Sequence, residues 1–225
     1  MRAPISVIIP TLNAEKTLSK CLEGLMEGVE AGLIRELIVA DGGSCDATGA
    51  IAQAWGAEIL QGVASRGGQL RLGCAAAQAE WMLVIHADSV LQHGWCKTVR
   101  LHLTDPDRAG WFRLAFEHAG VAGRLVAGWA NLRSRLGLPY GDQGLLISAE
   151  LYARIGGFPD QPLMEDVAMA RQLSGKLTPL EGVARTSADK YIAQGWIKRG
   201  SRNLWTLIRY FAGVDVEKLA AGYRP

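Results

Sequence analysis

Along the first 90 positions the apolar residues alternate between two rhythms. Four short runs, Ile5-Ser6-Val7-Ile8-Ile9, Glu36-Leu37-Ile38-Val39-Ala40, Glu58-Ile59-Leu60 and Trp81-Met82-Leu83-Val84-Ile85, predict strands. Residues 17–30 carry Leu18, Cys21, Leu22, Leu25, Met26 and Val29 on one helical stripe. Residues 46–55 predict a helix with Asp46 as its N-cap, and residues 69–79 an Ala-rich helix. Strands that alternate with helices of this length imply βαβ units. The expected fold is α/β: a Rossmann-like, mostly parallel central sheet flanked by helices. Ligands of such sheets bind beyond the carboxyl ends of the strands. That rule points to Pro10 to Asn13, Asp41 to Ser44, and His86 to Asp88.

The second half is less regular. Residues 109–116 alternate as a strand through Trp111, Arg113 and Ala115, and residues 144–148 predict another. Helices are predicted over 119–136, despite three glycines, over 165–174, and over 189–211, the longest candidate and a C-terminal helical segment. No linker divides the chain, so a single domain, 1–225, is expected.

Composition agrees with a globular domain. The 225 residues are 49% hydrophobic and 20% charged, with no repeat or low-complexity stretch. Residues 1–10 do not form a signal peptide, and no run approaches the roughly 18 apolar residues that span a bilayer. The expected location is cytoplasmic, or peripheral at the inner face of the membrane. Cys21, Cys45, Cys74 and Cys96 match no zinc spacing and are read as free thiols, mostly buried.

Charge is unevenly spread. The formal net charge is +2, yet residues 190–214 hold five Lys and Arg with no acid, and residues 110–140 hold four Arg against Glu117 alone. Contacts with phosphate or an anionic surface are expected in that half. Trp196, Lys198, Arg199, Arg202, Trp205, Arg209, Tyr210 and Phe211 share one predicted helix. They suit either a peripheral membrane contact or a soluble phosphorylated partner, the alternative being apolar positions packed in the core and solvated cations.

Five segments carry candidate chemistry. Asp41-Gly42-Gly43-Ser44-Cys45-Asp46 is either an ordinary βα turn or a ligand loop, in which Asp41 accepts a hydrogen bond from a base N–H or a ribose hydroxyl. It is not G-x-G-x-x-G, so a dinucleotide site is not supported. His86 and Asp88 flank Ala87 on an extended segment and project to one side, a pair suited to Mn²⁺ or Mg²⁺. Glu165-Asp166 is either a pair of acids favoured at a helix N-terminus or a general base with its neighbour. Ser65-Arg66-Gly67-Gly68-Gln69 is a basic turn whose backbone N–H groups and Arg66 could hold a phosphate, or a solvated loop. Tyr140-Gly141-Asp142-Gln143-Gly144 has the same ambiguity.

Taken in order, these segments resemble the family 2 glycosyltransferases of the GT-A fold, over about three quarters of the chain. The D-G-G-S and H-A-D motifs, with Arg185-Thr186-Ser187-Ala188 and Gly195-Trp196, are similar to a small bacterial subgroup, the selenodomain-associated transferases. The resemblance implies transfer of a hexosyl or N-acetylhexosaminyl group from a nucleotide diphosphate donor, UDP-linked, with a divalent cation and inversion. It implies a nucleotide-binding half, 1–90, with Pro10, Thr11, Asn13, Asp41, Gly42, Gly43, Ser44, Arg66, Gln69, His86 and Ala87 at the nucleotide. It implies Asp88, with His86, at the metal, and Asp166, beside Glu165, as the base. Asp142, Gln143 and Trp196 fall on the acceptor side of the second half, 91–225, facing a lipid-linked or phosphorylated acceptor. Nucleic acid is not an expected partner. The chain departs from the family at His86, where an acid is usual. Competing readings are a sugar nucleotidyltransferase, for which the segment Thr11 to Glu15 lacks glycines, and a transferase-like binding module with a decayed site.

Overall fold

The structure, a computed structural model, describes residues 2–117 and 120–223. In chain order the elements are β1 (Ile5–Thr11), α1 (Leu18–Glu23), α2 (Met26–Glu30), β2 (Ile34–Asp41), α3 (Thr48–Ala54), β3 (Glu58–Gln61), α4 (Arg66–Ala76) and β4 (Trp81–Val84). Then come β5 (Ser89–Leu91), α5 (Trp95–His102), β6 (Ala109–Phe116), α6 (Val121–Arg135), β7 (Leu145–Ser148), α7 (Ala149–Arg154) and α8 (Glu165–Gln172). The chain ends in β8 (Leu177–Thr186), α9 (Asp189–Gln194), α10 (Trp196–Phe211) and α11 (Val216–Tyr223).

All eight strands join one sheet in the order β3-β2-β1-β4-β7-β6-β8-β5. The expected parallel arrangement holds for β3, β2, β1 and β4. Beyond β4 the sheet turns mixed: β7 runs antiparallel to β4 and β6, β8 runs parallel to β6, and β5 antiparallel to β8. Helices cover both faces, which is why β1 and β4 are almost wholly buried and read as continuous apolar runs. One core cluster packs Ile5, Val7, Ile9, Val39, Leu83 and Trp95 on one side of the sheet. A second packs Ile8, Leu70, Met82, Val84, Phe158 and Met169 on the other.

Two predicted helices are broken. The helix expected over 17–30 divides at Gly24, where a side chain would lie 2.8 Å from Val90 of β5, so the chain bends to admit that strand. The helix expected over 189–211 divides at Gly195, whose φ of +84° places it in the left-handed region. The helix expected from Gln69 begins earlier, at Arg66, with Ser65 as its cap. The helix expected over 119–136 spans Val121–Arg135, and the predicted start at Ala119 lies outside the described residues. No described helix is long and apolar enough to cross a membrane. The four cysteines are free; Cys45 is exposed and the other three are buried.

Candidate active site

The carboxyl ends of β1, β2 and β4 border a cleft of about 730 Å³, as the strand-edge rule requires. Its walls are Pro10 to Thr17, Cys45 and Asp46, Arg66, Gln69, and His86 to Asp88. A smaller cavity of about 120 Å³ adjoins it, lined by Asp142, Asp166, Lys190, Tyr191, Arg199, Asn203 and Tyr223. Arg66, His86, Asp88, Ser187 and Lys190 line both. Residues 120 positions apart in sequence therefore share one site.

The donor-side loops are closed by hydrogen bonds. Asp41, at the tip of β2, is 4% exposed. Its Oδ1 accepts the hydroxyls of Thr11 (2.8 Å) and Ser44 (2.5 Å), and its Oδ2 accepts the N–H groups of Gly43 (3.0 Å) and Ser44 (2.8 Å). A carboxylate has about four acceptor positions, so these four donors fill it. Burial pushes the Asp41 carboxyl up, but the Ser44, Thr11 and Gly43 donors outweigh it and hold it below its ordinary value. Asp41, Gly42, Gly43 and Ser44 do not line the cleft in this state, contrary to the expected direct contact; they shape the turn that borders it. Gly43, at φ +90°, supplies the backbone that only glycine adopts cheaply. Asn13 holds this turn to the β1 loop: its N–H donates to Ser44 Oγ (2.8 Å) and its Oδ1 accepts from the N–H of Cys45 (3.0 Å). Gln69 braces the strand tips, its Nε2 donating to the carbonyls of Thr11 (2.7 Å) and Ala40 (2.8 Å). Asp46 precedes the helix cap, and its Oδ1 accepts the N–H of Thr48, the first residue of α3 (3.0 Å).

The turn before α4 corrects another expectation. The N–H of Gly67 donates to the Gln161 carbonyl (3.0 Å) and that of Gly68 to Ser65 Oγ (3.4 Å). Gly67 is pressed so close to Pro159 that a side chain would sit 2.1 Å from its carbonyl oxygen. These amides are thus spent within the protein, and the phosphate-binding capacity of the segment rests on the Arg66 side chain. Enclosure by the cleft walls opposes the Arg66 charge, but the neighbouring acids outweigh it and raise the Arg66 pKa.

Met164 sits in the left-handed region at φ +62°, an uncommon conformation for a residue with a side chain, and it starts α8 with Glu165 and Asp166 in the first turn. The two acids differ sharply. Asp166 lines the cavity; its Oδ2 accepts the N–H of Gly141 (3.0 Å) and its Oδ1 that of Val167 (2.7 Å). Glu165 is fully buried and neither of its oxygens has a partner. Burial, reinforced by Asp166 and only partly relieved by Arg66, pushes its carboxyl up to about 8, so it is protonated at neutral pH. Of the pair, only Asp166 opens onto the cavity.

Asp88 is half-buried and faces Lys190 Nζ at 3.7 Å. His86 turns the Nε2 edge of its ring to Gly141, where a side chain would come within 2.3 Å. Enclosure, then Arg66, lowers its pKa to about 4 against the pull of Asp88 and Asp166, so the ring is neutral. Among the described residues no group of three or more His, Cys, Asp or Glu is placed to hold a metal ion. A dedicated protein cage is therefore not built here. The donor set does suit a cation of the Mg²⁺ or Mn²⁺ type, which commonly takes one or two carboxylates and completes its shell with water and substrate phosphates. Asp88 is the carboxylate that faces both openings.

On the acceptor side, Asp142 lines the small cavity, with Oδ1 lacking any partner; burial and Asp166 push its carboxyl up to about 6 against the pull of Arg133. Gln143 does not reach the site. It is fully buried, with Nε2 donating to the Phe112 carbonyl (3.1 Å) and Oε1 accepting from Ser134 (2.6 Å) and the Tyr140 N–H (3.2 Å). Trp196 packs against Phe116 and Tyr191, behind the cavity wall rather than in it. Lys190, Tyr191, Asn203 and Tyr223 are cavity residues that no local pattern marked; they arrive on α9, α10 and α11, which fold back over the sheet edge.

The sequence model for glycosyl transferase family 2 matches residues 6–133, more than half of the chain, so the protein belongs to that family. No curated protein matches the sequence. Among solved structures, S. aureus TarS 1-349 in complex with UDP superposes with a TM-score of 0.62 at 17% identity, over 86% of this chain and 64% of that one. The mannosyltransferase PcManGT from Pyrobaculum calidifontis, in complex with GDP-Man and Mn²⁺, gives 0.62 at 18% identity, over 82% and 57%. Glucosyl-3-phosphoglycerate synthase from Mycobacterium tuberculosis, with Mn²⁺, UDP and phosphoglyceric acid, gives 0.58 at 21% identity, over 82% and 69%. At these identities the likeness establishes the GT-A-type fold. The chain spans from 35% to 65% of the length of the solved structures it matches first.

Proposed function

We propose that the protein transfers a sugar from a nucleotide diphosphate donor, UDP-linked, to an acceptor hydroxyl, with inversion at the anomeric carbon. The observation that carries this reading is the shared lining: Asp88 and Arg66 border both the cleft and the cavity, and Asp166 lines the cavity with them. Residues 1–90 then supply the donor side and residues 91–225 the acceptor side, with the base and ribose against Pro10 to Ala14 and Cys45, and the diphosphate at Arg66. Asp41 positions the loop rather than binding the nucleotide. A divalent cation held by Asp88 and the donor phosphates would neutralise charge on the leaving nucleotide. His86, neutral and turned to Gly141, stands beside that position, and the H-A-D motif it opens supports a likeness to the small D-G-G-S subgroup.

Arg66 stabilises the same developing charge without any proton transfer. Asp166, held by two backbone N–H groups, keeps lone pairs free to take the acceptor proton, and Glu165, protonated, does not compete. Inversion needs one base on the face opposite the leaving group, and in this reading Asp166 takes that role. Lys190, Arg199 and Asn203 favour an acceptor that carries phosphate or several hydroxyls. The nucleotides bound to the three solved structures support the donor class, and the retained Asp88 and Asp166 weigh against a decayed site.

The test is a thermal-shift panel of nucleotide sugars with and without Mn²⁺. A donor at 100 times its dissociation constant stabilises by about 2.7 kcal/mol. Asp88→Asn is expected to lose the Mn²⁺-dependent part of that shift and keep the rest. If no nucleotide sugar moves the parent protein, or if UTP and a sugar phosphate yield a nucleotide sugar, the transferase reading is wrong.

A further inference from the structure

The surface of the second half carries a feature that the site does not use. On α6, Val121, Leu125, Trp129 and Leu132, with Leu136 at the helix end, recur every three or four residues and are all exposed, Leu125 by 70% and Trp129 by 54%. On α10, Ile197, Leu204, Trp205, Ile208 and Phe211 form a second exposed stripe, with Trp205 at 61%. These are not core faces left uncovered. The inner face of α6 is Gly123, Ala127, Ala130 and Ser134, and α10 buries Thr206 and turns Asn203 to the cavity. The two helices touch, and Ile192 on α9 is exposed as well. The remaining exposed large hydrophobics among the described residues, Leu12, Met26, Val29, Val63, Leu72 and Leu101, sit singly or in one pair, as on any protein surface. A concentrated apolar surface marks an interaction site.

Charge selects the occupant. Neither helix contains an acid, while α6 carries Arg124, Arg133 and Arg135 and α10 carries Lys198, Arg199, Arg202 and Arg209. Arg133 stacks on Tyr140 and Arg199 donates to Gln194, but Arg124, Arg135 and Lys198 are exposed beside the apolar stripes. A second copy bound through the same face would set this cationic surface against itself. An anionic bilayer complements it: tryptophans suit the headgroup boundary, aliphatic side chains the acyl region beneath, and Arg and Lys the lipid phosphates.

We propose that α6 and α10 together form a docking face for an anionic lipid bilayer, independent of the transferase reading. The test is flotation with vesicles of phosphatidylcholine and phosphatidylglycerol, against phosphatidylcholine alone, on the full chain. The parent is expected to float with the anionic vesicles at low salt and to be released as salt is raised. Leu125→Glu with Trp205→Glu, both at exposed positions, should abolish flotation while melting temperature and donor binding stay unchanged. Arg124→Gln, Arg135→Gln and Lys198→Gln together should weaken flotation and flatten its salt dependence. Failure of the parent to float, or flotation indifferent to lipid charge and to both sets of substitutions, overturns the proposal. So does light scattering that shows an oligomer dissolved by Leu125→Glu and Trp205→Glu, which would assign the face to self-association.

Discussion

The two sides of the cleft treat their polar atoms in opposite ways. Around β1 and β2 every acceptor position of Asp41 is used, and Asn13, Ser44 and Gln69 tie the loops together. Around α8 and α10, Asp142 Oδ1, both oxygens of Glu165 and Arg199 Nε are buried without partners among the described residues. Leaving a polar group so costs about 1–3 kcal/mol, more if it is charged, so a cluster of them is tolerated where a ligand completes the bonding. The β1–β2 side is thus closed by its own hydrogen bonds, and the side around α8 and α10 keeps polar atoms unspent.

The contrast can be broken most directly at Asp166. Asp166→Asn keeps the shape of the side chain and should lower turnover by about 10²–10⁴-fold while leaving donor affinity nearly unchanged. Steady-state kinetics with donor titration would check this, and near-normal turnover would remove Asp166 as the base. Asp41→Ala should do the reverse. It frees four donors at once and is expected to cost about 2–3 kcal/mol of stability in a urea melt, with donor binding weakened through the loop. An unchanged melt with abolished binding would mean that Asp41 holds the nucleotide itself.

A further test is one of pH. Glu165, pushed up from an ordinary 4.5 to about 8 in the folded chain, keeps a proton that the unfolded chain releases. Its contribution to stability is therefore fully present at low pH and is lost as pH rises from about 4.5 towards 8. Glu165→Gln should remove that part of the decline and raise the melting temperature at pH 8 relative to the parent, with little change at pH 5. Parallel melting curves across that range would show that Glu165 is ionised after all.

Much of this molecule was legible in the chain itself. Strands β1 and β4, and the second half of β2, are covered on both faces, so they read as apolar runs, and the polar clusters after them fall at the cleft because parallel strands end along one edge. Asp88, Arg66 and the Glu165-Asp166 pair stood out because ligand-type side chains follow a strand or open a helix, but the pattern could not tell Asp166, which lines the cavity, from its buried neighbour. Strand β8 did not stand out: it includes Pro179, Glu181, Gly182 and Arg185 and buries little beyond Leu180, Ala184 and Thr186, so it is a strand because β6 and β5 pair with it. The fate of Asp41 was equally hidden, since its four donors include Thr11, thirty residues away. The small cavity was wholly a tertiary product, because Tyr191, Asn203 and Tyr223 meet Asp88 only when α9 to α11 fold back over the sheet. The same folding decided which face of α10 is wet. Periodicity marks a helix with an apolar stripe but cannot say whether a neighbour covers it, and here the packing surface of α10 was taken by the cavity wall, leaving Trp205 and Ile208 to the solvent.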